Sequence, residues 1–101
     1  MNHLQLNEFQ QGALKRLTIE TLTPMQEEAL CACRNNKDVV LLSPTGTGKT
    51  LAYLLPMIES LQVGVNGVQA MVIVPSRELA LQIDSVIKTM ALPWKAMSVY
   101  G

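Results

Sequence analysis

Residues 43–50 read Ser-Pro-Thr-Gly-Thr-Gly-Lys-Thr. They stand between a short apolar run, Val39 to Leu42, and a stretch from Lys49 to about Leu61 in which Leu51, Leu54, Leu55, Ile58 and Leu61 recur at helical spacing. The run suits a strand buried on both faces, and the recurrence predicts an amphipathic helix. Pro56 lies inside that helix, where its ring removes the hydrogen bond to the Ala52 carbonyl and predicts a kink. Strand, Gly-bearing loop and helix, in that order, form a cradle for phosphate. Gly46 and Gly48 allow positive φ, so the loop amides can converge on one point. The helix N-terminus adds a favourable partial charge. Lys49 can reach β- and γ-phosphates, and the Thr50 hydroxyl can coordinate magnesium. The usual pattern opens with Gly; here the small Ser43 takes that place. The motif points to a nucleotide without specifying a reaction.

The rest of the chain continues the same architecture. Phe9, Ala13, Leu14 and Leu17 predict a helix over Asn7 to Leu17. Thr23-Pro24-Met25-Gln26 reads as a second helix start, with Thr23 as cap, Pro24 at the first helical position and Gln26 completing a capping box. That helix is expected to reach about Cys33, before a polar turn at 34–38. Ala70 to Val74 predicts a second strand, ended by Pro75. Arg77 to Met90 predicts a helix with Leu79, Ile83, Val86, Ile87 and Met90 inward, stopped by Pro93. Ala96 to Tyr100 predicts a third strand. Strands alternating with helices predict an α/β fold with a parallel sheet and right-handed crossovers.

Composition narrows the classes. The chain has 101 residues, 49% of them hydrophobic, with eight basic and eight acidic side chains. That is enough for one small domain with a core, and too apolar for disorder. No apolar run exceeds five residues, whereas a membrane span needs about twenty. No secretory leader is visible at the start. Cys31 and Cys33 have neither disulfide spacing in a helix nor the spacing of a metal site, and a reducing cytoplasmic setting is expected. His3 near the start has no evident role, and the Met residues read as core filler. Zero net charge means that any nucleic-acid contact must rest on a few placed residues.

Three motifs together resemble one family, the DEAD-box RNA helicases of helicase superfamily 2. Ser43 to Thr50 is close to their phosphate loop, which usually begins with Ala. Thr23-Pro24-Met25-Gln26 is similar to the end of their adenine-reading Q motif, and Phe9 lies 17 positions before Gln26, the family's spacing for an aromatic residue. Pro75-Ser76-Arg77-Glu78-Leu79-Ala80 resembles their Pro-Thr-Arg-Glu-Leu-Ala motif, and Tyr100-Gly101 stops where a Gly-Gly motif would begin. Two positions depart: Leu22 stands where the Q motif usually has Pro, and Thr18 where it usually has Gly. Neither Asp-Glu-Ala-Asp nor Ser-Ala-Thr is in the sequence.

The resemblance implies a three-layer, RecA-like parallel sheet, incomplete over these residues. Residues 1–101 would be the N-terminal part of a helicase ATP-binding domain, with a Q-motif helical region over 1–37 and the P-loop core over 38–101. A second RecA-like domain would belong to a longer parent. It implies ATP and Mg2+ as cofactors and RNA as partner, with the parent coupling ATP hydrolysis to local duplex unwinding. Phosphate and magnesium would be held by Ser43, Thr45, Gly46, Thr47, Gly48, Lys49 and Thr50, the last as metal ligand. Adenine would be held by Gln26 and Phe9, and RNA by Ser76 and Arg77. Each role has a plainer counterpart. Gln26 can cap its own helix, Phe9 can be one more core residue, and Arg77 can pair with Glu78 or Asp84. Lacking the magnesium aspartate and the residue that activates water, these 101 residues alone are expected to turn over no ATP, and an unpaired sheet edge could self-associate. Two other functions fit the phosphate loop: another superfamily 2 ATPase such as a DNA helicase, and a nucleotide-binding module without turnover.

Overall fold

A computed structural model of the chain describes residues 5–42 and 48–99. Four helices are formed among them: α1 (Glu8–Arg16), α2 (Pro24–Asn35), α3 (Lys49–Ser60) and α4 (Arg77–Met90). All four lie where the apolar spacing predicts them, α2 running two residues past Cys33. α3 is one continuous helix through Pro56.

Three of the helices are closed by their own sequence. Asn7 caps α1, Thr23 caps α2 and Ser76 caps α4, each accepting a backbone N–H from three residues on. In α1 and α2 the box is reciprocal, because Gln10 and Gln26 accept the N–H of Asn7 and Thr23. Each of these helices carries an acid in its first turn and a base in its last, matching the helix dipole.

α3 is the hub. It buries Leu51, Ala52, Leu54, Leu55 and Ile58, more than any other helix, and packs on both α1 and α2. Ala13 and Leu14 of α1 and Met90 of α4 complete its cluster, with Phe9, Leu17, Ile19, Val86, Ile87 and Trp94 around it. Thr18, in the short link after α1, sits at φ +58. That left-handed backbone explains why a glycine suits the position.

The expected parallel sheet is not formed among the described residues. Segments 39–42, 70–74 and 96–99 are extended but carry no strand ladder. Their exposure still alternates with period two. Val40, Leu42, Met71, Ile73, Met97 and Val99 face solvent, while Leu41, Val74, Ala96 and Ser98 are half-covered. The side-chain pattern of strands is therefore present without the pairing. A parallel sheet is stable when both faces are covered, and here one face of each segment is bare. The third expected strand ends at Tyr100, outside the described residues.

Candidate functional site

The N-termini of α2 and α3 meet at one point. Gly48 caps α3 at φ +71, and a β carbon there would lie 2.5 Å from Gln26 Nε2. Glycine is thus required twice, for the backbone conformation and for the close approach. Gln26 arrives from the third position of α2. Its backbone N–H donates to Thr23 Oγ1 at 3.2 Å, and its Oε1 accepts from the Thr23 N–H at 2.9 Å. Its Nε2 then donates to the Gly48 carbonyl at 3.2 Å.

Capping is therefore realised, and it does not exhaust the side chain. A glutamine amide has two N–H donors and two acceptor lone pairs. The bonds named above use one of each. One donor and one acceptor are left, the pair that an adenine N7/N6 edge requires. Gln26 is only 4% exposed, so its orientation is fixed by packing as well as by these bonds.

Lys49 and Thr50 are the first two residues of α3, both half-buried. The N-cap of α3 makes no side-chain bond, and no acid lies in its first turn. A positive helix end beside a lysine favours an anion. Ser43, Thr45, Gly46 and Thr47 lie outside the described residues. Among the described residues no group of three or more His, Cys, Asp or Glu could hold a metal. The Thr50 hydroxyl, the expected magnesium ligand, stands in the first turn of α3.

The other expected residues lie apart from this junction in sequence. Phe9 packs half-buried against the core, its ring 4.9 Å from that of Trp94 at an interplanar angle of 66°. Trp94 Nε1 in turn donates to the Gln62 carbonyl at 3.1 Å. Arg77 opens α4 and is exposed, with Ser76 capping Leu79 N–H at 3.2 Å. Asp84, one of the two acids expected to pair with Arg77, pairs with Lys88 at 2.8 Å.

A further cluster joins residues distant in sequence. Arg34 forks onto Glu59, Nε to Oε1 and Oε2 at 3.1 and 3.0 Å and Nη2 to Oε1 at 2.7 Å, and Nη2 also donates to the Gln5 carbonyl. Gln10, fully buried, donates to the Leu55 carbonyl at 2.8 Å and to Glu59 Oε1 at 3.3 Å. The Arg34 guanidinium, by hydrogen bond and then by charge, holds the Glu59 carboxyl below its ordinary range, against the opposing effect of partial burial. The Asn7-x-x-Gln10 spacing, a match to Thr23-x-x-Gln26, was the signal available for Gln10. Nothing local marks a pair 25 residues apart.

Known proteins match this sequence. The family described as DEAD/DEAH box helicase matches residues 23–101, most of the chain, including Gln26, Gly48, Lys49, Thr50 and Arg77. The protein named Probable ATP-dependent RNA helicase YfmL, of Bacillus subtilis, is 49% identical over 76 residues, covering 75% of this chain and 19% of its own. ATP-dependent RNA helicase DHH1 of Candida glabrata is 37% identical over 92 residues, covering 83% and 18%. DEAD-box ATP-dependent RNA helicase CshA of Geobacillus kaustophilus is 40% identical over 81 residues, covering 80% and 17%. The chain thus spans less than a fifth of the length of each of these relatives. By the family match over residues 23–101, most of its length, the chain belongs to the DEAD/DEAH box helicase family.

Proposed function

We propose that the chain is the ATP-binding portion of an ATP-dependent RNA helicase. The observation that carries this reading is the Gln26–Gly48 hydrogen bond, which joins a residue able to recognise adenine to the helix that begins Lys49-Thr50. The names of the relatives support ATP as the nucleotide and RNA as the substrate. Residues 1–37 would then form the adenine-side region and 38–101 the phosphate-side core of a RecA-like domain. Extended segments with period-two exposure fit the strands of that sheet once they are paired and covered.

In this reading the loop 43–48 and Lys49 bind the β- and γ-phosphates, and Thr50 holds magnesium, which when bound neutralises developing charge on the phosphates. Gln26 reads the adenine edge, and Phe9 flanks the base. Arg77 and Ser76 contact RNA phosphate at the N-terminus of α4, beside the end of segment 70–74, an edge where open α/β sheets bind ligands. No helix among the described residues is long and apolar enough to cross a membrane.

Titration of Mg-ATP into the full 101-residue chain tests this. Saturable binding is expected, with at least a tenfold loss in Lys49→Ala and no turnover above background. Binding that survives Lys49→Ala unchanged contradicts the assignment. RNA-stimulated turnover that vanishes in Lys49→Ala would overturn the expectation that these residues bind without hydrolysing.

A further inference from the structure

α2 and α3 touch at both ends. Gln26 meets Gly48 where both helices begin, and Arg34 meets Glu59 where both end. The two helices therefore run parallel. Their apolar faces pack closely, with Ala29 and Leu30 of α2 buried, and a slide of one residue would shift a helix by ~1.5 Å. Directional polar contacts at both ends add to that register. The contact at the nucleotide end is a single neutral bond of 3.2 Å. The far contact is a charged fork of three N–H···O approaches between 2.7 and 3.1 Å, which constrains both distance and orientation.

The carboxylate that receives the fork is itself held. Gln10 donates to Glu59 Oε1 and to the Leu55 carbonyl, and its own Oε1 accepts the Asn7 N–H at 2.8 Å. Glu59 is thereby referred to α1 as well as to α3. Arg34 also binds the Gln5 carbonyl, so the segment before α1 closes the same cluster.

We propose that Arg34, Glu59 and Gln10 form a positioning clamp that sets the register of α2 along α3 and so keeps the Gln26 amide on Gly48. A one-residue slide, ~1.5 Å, would distort the fork and lengthen the Gln26–Gly48 bond. The Arg34 and Glu59 side chains are 29% and 33% exposed, and pairs this exposed add little to stability. The clamp acts on register more than on folding. Its consequence for nucleotide binding rests on the adenine-reading role proposed for Gln26, whereas its consequence for the Gln26–Gly48 bond does not.

The test uses the 15N-labelled full chain. Hydrogen exchange of the Gln26 side-chain amide, assigned by its absence in Gln26→Ala, reports the bond to Gly48. In Arg34→Met and in Glu59→Ala this exchange is expected to rise at least threefold. Backbone protection at Ala29 and Leu54 should stay within a factor of two. Arg34→Lys, which keeps the charge without the fork, should fall between. Lys88→Met, which breaks the Asp84–Lys88 ion pair on α4, should change nothing. Unaltered Gln26 exchange in both Arg34→Met and Glu59→Ala overturns the clamp. Should either fail to fold, parent-like exchange in Arg34→Lys overturns it equally.

A second readout separates the two proposals. The ratio of ATP affinity to inorganic triphosphate affinity should drop at least threefold in Arg34→Met, with no further drop when Gln26→Ala is added. An unchanged ratio in Gln26→Ala alone sinks the adenine reading, and the exchange data then still decide the clamp.

Discussion

The start of α3 differs from the starts of the other three helices. α1, α2 and α4 are each capped by a side chain and carry an acid in the first turn. α3 has a glycine cap with no side-chain bond, no first-turn acid, and a lysine as its first residue. By local rules α3 has the weakest start, since a glycine cap is worse than a Ser, Thr, Asn or Asp cap by roughly a few tenths of a kcal/mol. It is instead the most buried, with five buried residues against two or three on each of the others. α3 is thus held by its apolar body, and its N-terminus carries neither a side-chain cap nor an acid of its own. At each of the other starts a side chain already accepts one backbone N–H.

Four expectations test this contrast. The largest is on the α3 body. Leu54 is fully buried, and Leu54→Ala is expected to cost ~2–5 kcal/mol by loss of transfer energy and creation of a cavity. Chemical denaturation measures it. A loss below 1 kcal/mol would mean that α3 does not depend on its buried face.

Next is Gly48→Ala. A β carbon in left-handed backbone costs ~1–2 kcal/mol, and the 2.5 Å approach to Gln26 must also be relieved. A loss of about 2 kcal/mol is expected, accompanied by weaker ATP binding. Unchanged stability would show that the α2–α3 junction yields freely.

The caps come third. Thr23→Ala and Ser76→Ala should each cost ~1 kcal/mol, yet only the first should weaken ATP, because only Thr23 orients Gln26. Equal effects on ATP would erase the distinction between the two helix starts.

The smallest effect is with pH. The folded Glu59 carboxyl lies below its ordinary value, chiefly through its hydrogen bond to Arg34. Its contribution is complete above the ordinary carboxylate range and is lost as pH falls through that range to the lowered folded value. Denaturation midpoints compared between pH 6 and pH 3 should fall slightly more for the parent chain than for Arg34→Met. Parallel falls would show that the pair contributes nothing.

The helices were legible because their determinants are local. Apolar spacing, Thr23 and Gln26 as a box, and Pro24 at the first turn all act within a few residues, and the structure places α2 accordingly. Strand pairing was not legible. The alternation at Met71, Ile73, Met97 and Val99 encodes a face and not a partner, and among the described residues no ladder forms. Half of the candidate site was readable for the same reason. Gln26, Gly48, Lys49 and Thr50 announce themselves in short motifs. The link between Gln26 and Gly48 spans 22 residues, and that between Arg34 and Glu59 spans 25. Only the fold brings those groups together. Gln26 also shows why the choice between cap and adenine reader could not be made from spacing alone: the amide has enough donors and acceptors for both.

Calorimetric titration reads out this dual use of Gln26. Mg-ATP and inorganic triphosphate are each titrated into the full chain and into Gln26→Ala. A several-fold loss of ATP affinity with triphosphate affinity unchanged is expected. Equal loss of both ligands would contradict it, leaving Gln26 as a cap that supports the helix and reads no base.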